Sequence, residues 1–399
     1  MKLKALGLIG LWAACGNVHA AGFALYEHSV SALGTGFAGQ AVMAQDASTM
    51  FANPAGLTEI KGGQFVVGGT LIKSSAKFSD GTGGDAGGTS LVPSMYLAMD
   101  IRSGLKLGFG LYSPFGLKTE YDTVWTGSSQ GIKSEMKTVD FNPTLAWQAN
   151  DRLSLGLGLD YQYIDATLTN SAGPLGVATM TGDDTAWGYN LGLMYRFDEA
   201  TRLGLSYRSR IKHHLTGSVD DSVHALPGPL PLPQAIYADV TLPDMAMLAV
   251  QHDVNDKWTI LADATWTGWS SFKDLTAKLA QNDATVSSTR ENWKNVWRFG
   301  LGTTYTSSDA LMWRFGVAYD NTPIPDTEHR YARIPDSDRI SVAIGARYVV
   351  TPRNRLDVGY MHLFFKDGPT NSPLPTGGTL AGTFKGHADI LGVQLTHNL

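Results

Sequence analysis

The sequence predicts an all-β fold, a fourteen-stranded antiparallel transmembrane β-barrel preceded by an N-terminal plug. Three observations lead there. From about Gly63 onward, segments of about 10 to 15 residues alternate apolar with polar or small side chains, the period of a pleated strand. The connections between them alternate short and long, as they do in outer-membrane barrels. Past the first twenty residues no run of 18 consecutive apolar residues occurs, which excludes a bundle of membrane-crossing helices.

The chain divides into three expected parts: a secretory signal over 1–20, a hatch over 21–60 and the barrel over 61–399. Lys2 and Lys4 precede an apolar core from Ala5 to Ala14, and Val18-His19-Ala20 puts small residues at the −3 and −1 positions of a cleavage site. At 43% hydrophobic and 17% charged, the chain is too apolar for disorder. Its net charge of −5 becomes more negative once Lys2 and Lys4 are removed, which argues against nucleic acid as a partner. The single cysteine, Cys15, lies inside the signal, so disulfides and Cys metal sites are excluded from the mature chain. Lipoprotein processing at Cys15 is disfavoured by the bulky Trp12 three residues before it.

Arg152 to Ile164 shows the strand pattern plainly. Leu153, Leu155, Leu157, Leu159, Tyr161 and Tyr163 share one face, and Ser154, Gly156, Gly158, Asp160 and Gln162 share the other. Repeating the reading gives strands near 63–77, 92–102, 104–112, 132–148, 152–167, 179–197, 202–216, 239–253, 257–276, 292–306, 310–320, 338–350, 355–365 and 384–398. Short turns and both termini fall at one end, expected to be periplasmic. Long loops near 78–91, 113–131, 168–178, 217–238, 277–291, 321–337 and 366–383 fall at the other, expected to be outside. A barrel satisfies its backbone internally and needs only an apolar outer face, so the polar parity faces the lumen. That inward set holds Arg196, Arg208, Arg298, Arg314 and Arg347 with Asp160, Asp320 and Asp357. It also holds many glycines, among them Gly156, Gly192, Gly204, Gly300, Gly316, Gly345 and Gly359, which leave room inside. Residues 21–60 do not alternate and have the size to fill it; Asn53-Pro54 forces a turn within them.

Two features point to ligand chemistry. Arg298 and Arg314 offer guanidiniums that could hold a carboxylate bidentately, although Arg/Asp ladders that hold a plug in register would use the same residues. The stretch Leu226-Pro227-Gly228-Pro229-Leu230-Pro231-Leu232-Pro233, with Ile236, puts aliphatic side chains on an extended loop, and exposed apolar patches tend to mark binding sites. Leu226, Leu230, Leu232 and Ile236 are therefore candidate capture residues. Enzyme signals are weak. Gly34, Gly36 and Gly39 match G-x-G-x-x-G, but no strand precedes them and no βαβ unit surrounds them. His213 and His214 are adjacent on a strand and point to opposite faces, so they cannot chelate one ion together. His252, His329 and His362 lack a recognisable catalytic partner spacing. The reading is a non-enzyme with no catalytic residue, metal or cofactor.

Several motifs together carry a family resemblance. Ala21-Gly22-Phe23, Leu33-Gly34, Asp46-Ala47, Asn53-Pro54-Ala55, Asn142-Pro143-Thr144, Leu203 to Ser209, Leu242-Pro243-Asp244, Trp266 to Ser270, Asp320 to Pro325, Ile334 to Arg339 and Asp357 to His362 run in order along the chain. With them it resembles the long-chain fatty acid transporter family of Gram-negative outer membranes, which includes aromatic-hydrocarbon uptake proteins. The resemblance implies a fourteen-stranded barrel with a hatch, capture of hydrophobic ligands at extracellular loops, and a monomer. It implies that Gly22 and Phe23 reach into the ligand cavity, that Asn53, Pro54 and Ala55 fix the far end of the hatch, and that the wall opens sideways beside a kinked third strand at Gly108, Phe109 and Gly110. Outer-membrane lipid, lipopolysaccharide and the barrel assembly machinery are the other expected partners. Leu399 departs from the aromatic residue that usually ends such chains. The cargo stays open between a fatty acid, an aromatic hydrocarbon and an alkane. A general diffusion porin is the rival, distinguished by an open lumen.

Overall fold

The computed structural model describes residues 22–173, 176–221 and 233–399. The signal residues, including Lys2, Lys4 and Cys15, and the capture candidates Leu226, Leu230 and Leu232 lie outside them. Fourteen antiparallel strands pair in sequence order: β1 Gln64–Phe78, β2 Thr89–Arg102, β3 Leu105–Tyr112 resuming as Gly116–Glu120, β4 Lys133–Gln148, β5 Leu153–Ser171, β6 Val177–Arg196, and β7 Thr201–Arg208 resuming as Ile211–Asp221. There follow β8 Gln234–Leu242 with Met245–Asp253, β9 Trp258–Thr267 with Asp274–Leu279, β10 Thr285–Arg290 with Val296–Ser308, β11 Leu311–Asp320, β12 Arg339–Thr351, β13 Asn354–Phe365 with Gly368–Pro373, and β14 Thr379–Asn398. β1 pairs with β14 from Gln64↔Asn398 to Phe78↔Phe384, which closes the barrel and leaves no sheet edge along that seam.

Parity follows the sequence. On β5, Leu157, Leu159, Tyr161 and Tyr163 are exposed, whereas Ser154, Asp160 and Gln162 are buried. The same alternation on β4, β10, β12 and β14 wraps the outside in apolar side chains such as Leu145, Trp147, Phe299, Leu301, Ile344 and Val393. That is the surface a hydrocarbon core requires.

Residues 22–60 occupy the interior as short turns: α1 Val30–Leu33, α2 Gln40–Met43, α3 Thr49–Ala52 and a 3₁₀ turn Pro54–Glu59. Almost all of this segment is buried. The inward glycines explain how it fits. A Cβ on Gly204 would lie 2.0 Å from the Ala41 carbonyl oxygen, and one on Gly345 2.7 Å from Gly34 Cα. One on Gly156 would meet the Ala55 nitrogen at 2.3 Å. Only a missing side chain allows backbone to approach backbone this closely. Charge locks the contact: Arg314 donates to Asp357 at 2.7 Å and to Gln45 at 2.6 Å, and Arg347 bridges Asp357 at 2.9 Å and Asp46 at 3.0 Å.

Two expectations on length change. The long connections 277–291 and 366–383 are largely strand, because β9 and β10 continue as a hairpin and β13 resumes against β14. These extensions lack the one-sided apolar pattern of the belt, so period-two reading passed over them.

Candidate functional site

The third strand organises the site. β3 pairs with β2 only up to Met95↔Leu111, and further along the Glu120 N–H donates to Ala86; between them, among the described residues, residues 90–94 of β2 have no ladder partner on this side. The interruption is Ser113-Pro114-Phe115. Pro114 has no N–H to give the ladder, so pairing stops there. The N-terminal segment uses the vacated groups. Leu25 N donates to Pro114 O at 2.8 Å, Gly116 N donates to Phe23 O at 3.0 Å, and Ala24 forms an isolated bridge with Phe115. Gly108, Phe109 and Gly110 are therefore not the bend. All three sit in continuous pairing with both β2 and β4. Gly108 and Gly110 instead leave space for Met50 and Leu57, and Phe109 faces outward, stacked on Phe141.

Phe23 is buried in an aromatic box, with ring centroids 4.6 Å from Trp269, 5.3 Å from Phe272, 5.6 Å from Trp293 and 6.2 Å from Phe115. Gly22 makes the approach possible. Its φ is +64°, and a Cβ would collide with Trp293 and Trp269 at 2.6 and 2.7 Å. Its N–H donates to Asp336 at 3.2 Å. Burial holds the Asp336 carboxyl up at about 6, opposed by Arg339 and by the Thr322 hydroxyl.

Phe23 also forms part of the wall of an apolar cavity bordered by Leu117, Met136, Ile164, Leu215, Ile236, Val240 and Leu275. Its free space is ≈ 870 Å³ including the open mouth, of which ≈ 90 Å³ admits a water-sized sphere. Next to it lies a larger and more polar cleft among the long connections, with ≈ 1600 Å³ of free space of which ≈ 660 Å³ admits a water-sized sphere, lined by Gln130, Asn170, Ser288, Tyr331, Leu374 and others. Ile236 alone of the capture candidates lies among described residues, and it faces the inner cavity.

Asn53 ties the other end of the segment to the wall. Its Nδ2 donates to Ala41 O at 2.7 Å and across to Leu193 O at 3.0 Å, while its Oδ1 accepts from Ala55 N at 3.1 Å. Pro54 and Ala55 fill the space above Gly156 and Gly192. Arg298 and Arg314, expected as carboxylate anchors, border neither the cavity nor the cleft. Arg298 is held by Asp263 at 3.1 Å and by the Gly36 carbonyl, and Arg314 by Asp357, so their donors are turned to the segment. A buried guanidinium already paired has little to offer a passing carboxylate. His213 bonds Asp184 and Gln162 inside the wall, while His214 meets Asp239 outside, on opposite faces as adjacent strand residues must be.

Sequence reasoning missed most of the cavity lining. Met136, Ile164, Met180, Leu215 and Val240 are apolar residues on the parity that otherwise carries Ser, Thr, Asp and Gln. That local switch was the available signal. Trp269, Trp293 and Arg333 carried none, because connections bring them in.

A closed barrel whose lumen is filled by its own N-terminal segment, with an apolar cavity below a polar cleft, defines an outer-membrane barrel with a furnished interior and not an open pore. The chain belongs to the family described as outer membrane protein transport protein (OMPP1/FadL/TodX), matched over residues 11–399. It is 30% identical to the long-chain fatty acid transport protein of Salmonella typhi, over 86% of this chain and 87% of that one. It is 29% identical to outer membrane protein P1 of Haemophilus influenzae, over 96% of both. Among solved structures it is similar to a Pseudomonas aeruginosa FadL homologue, with TM-score 0.87 and 25% identity over 95% of this chain and 100% of that one. The Pseudomonas putida toluene transporter TodX shares the fold at TM-score 0.69 and 20% identity, over 88% and 94% of the two chains. The protein is thus an outer-membrane transport barrel of Gram-negative type.

Proposed function

We propose that this protein takes up hydrophobic small molecules, with long-chain fatty acids as the main cargo, by capture in the outer cleft, displacement of a hatch formed by residues 22–60, and sideways release into the bilayer. The observation that carries the reading is Phe23, which lines the apolar cavity while its own backbone is paired to the break in β3. Ligand entry and the state of the wall are thereby joined through one residue. The resting cavity admits roughly six to nine water-sized groups, fewer than a long acyl chain needs, so cargo must push Phe23 aside. Burying a Phe side chain is worth roughly 1.5–3 kcal/mol. Competition for that pocket is enough to shift a closed equilibrium by about tenfold. Asn53-Pro54-Ala55 would stay as the fixed end of the hatch.

Sideways exit suits the cargo, because an apolar molecule gains by entering lipid and loses by crossing water. The gap beside β2 residues 90–94 is the candidate door. The same route would serve aromatic or alkane hydrocarbons, a second reading that the almost wholly apolar lining and the toluene-transporting relative favour. No catalytic role is proposed. The exposed belt would contact outer-membrane lipid and lipopolysaccharide, the barrel assembly machinery would insert it, and a ring closed within one chain supports a monomer.

Phe23→Ala tests the gate. The expected result is a several-fold change in oleate affinity or retention by the purified protein, with the barrel still folded by heat-modifiable gel mobility. Unaltered binding and uptake would reduce Phe23 to packing.

A further inference from the structure

Five buried arginines inside the barrel, Arg208, Arg298, Arg314, Arg339 and Arg347, each have a carboxylate within ion-pair distance. Arg333 is different. It is buried in the connection between β11 and β12, with no carboxylate oxygen within 4.0 Å among the described residues. Among the described residues its guanidinium donates to neutral groups alone, Asn170 Oδ1 at 3.1 Å and the Ser134 hydroxyl and Thr169 carbonyl at 3.4 Å. Glu291 does not make up the difference. It sits against the Trp293 indole, beyond ion-pair distance of Arg333, and burial pushes its carboxyl up to about 8 against the pull of Arg333. Burial also lowers Arg333, to about 10, which leaves it cationic there.

Position gives this charge a use. Arg333 borders both the apolar cavity and the polar cleft, and it is the one charged side chain among the described residues lining either. Met180, Ser287 and Thr289 share that boundary, so a molecule crossing from cleft to cavity passes the guanidinium. A buried, unpaired guanidinium destabilises the resting protein and gains most from an arriving anion. Its planar fork suits a carboxylate in two-point contact.

We propose that Arg333 is the head-group anchor of the uptake site: it binds the carboxylate of a long-chain acid at the mouth of the cavity, with the tail lying inside among Met136, Ile164, Leu215 and Ile236. This rests on the uptake reading above and deepens it, because an anchor of this kind selects acids over hydrocarbons of the same length. Leu117 and Val240 line the tail's pocket and contribute to neutral and charged cargo alike.

The test compares oleate with methyl oleate, which keeps the tail and removes the charge, on the full-length protein in lipid nanodiscs at pH 7.5. Wild type should favour the acid by about tenfold or more, the scale of charge-assisted pairing. Arg333→Gln should bring the acid-to-ester ratio close to one, and Arg333→Lys, which keeps a point charge without the fork, should restore part of it. A wild type that binds both equally, or an Arg333→Gln protein that keeps the preference, overturns the anchor while leaving hydrophobic uptake standing. A fall in both affinities at constant ratio overturns it too, making Arg333 a shaper of the cavity. Failure of wild type to bind either probe removes the uptake reading itself, and the anchor with it.

Discussion

Asp357 accepts hydrogen bonds from two guanidiniums, Arg314 and Arg347, and is fully buried between the wall and the N-terminal segment. Its removal would leave Asp46, which accepts from Arg347 at 3.0 Å, as the one carboxylate among the described residues within ion-pair distance of either guanidinium. Breaking a buried pair from one side costs about 3–5 kcal/mol, since the remaining charge stays desolvated. Asp357→Asn should therefore lower the temperature at which the heat-modifiable band is lost, while the inserted barrel keeps its closed ladder. An unchanged midpoint would mean that the glycine contacts alone hold the segment. The sequence offered these residues as an inward set but could not pair them. Parity tells which face a strand residue takes; register from β10 to β13 decides that Arg314 meets Asp357 and that Asp320 faces Arg298 and Arg339.

Among the elements, β3 is the one whose interruption matters most, and its cause was visible as Pro114. The glycines at 108 and 110 drew the bend too early in the strand, ahead of Pro114, because a glycine in a strand signals a kink or a close approach, and only packing tells which. Here the close approach won, with Met50 and Leu57 in the space. The rest of the strand order was legible because each belt strand is greasy on one face, whereas the upper hairpins and the aromatic box formed by connections were not. If the break beside β2 is a door, closing it should stop passage but spare capture. Cysteines replacing Ser94 and Ser113, joined by a short bifunctional reagent, should abolish uptake while leaving surface binding of the ligand intact. Full transport through the joined wall would move the exit to a displaced hatch.

At the scale of the whole molecule, the two ends of the barrel are unlike. Gly63 and Leu399 meet at one end, where the Leu399 N–H donates to Gly63 at 2.9 Å, together with tight turns such as Asn255 to Lys257. The polar cleft and the hairpin extensions of β9, β10 and β13 gather at the other. Uptake in the proposed direction requires the cleft to face outward, since capture must come before the hatch moves. Barrels of this kind put short turns in the periplasm and long loops outside. Cysteine labelling of intact cells with a membrane-impermeant maleimide decides it: Gly228→Cys, in the long connection between β7 and β8, should react, and Asn255→Cys, in the tight turn within the pair β8 and β9, should not. The reverse pattern would turn the cleft toward the periplasm. Cargo would then meet Phe23 before it met the cleft, and the anchor, the gate and the door would stand in an order that serves export and not uptake.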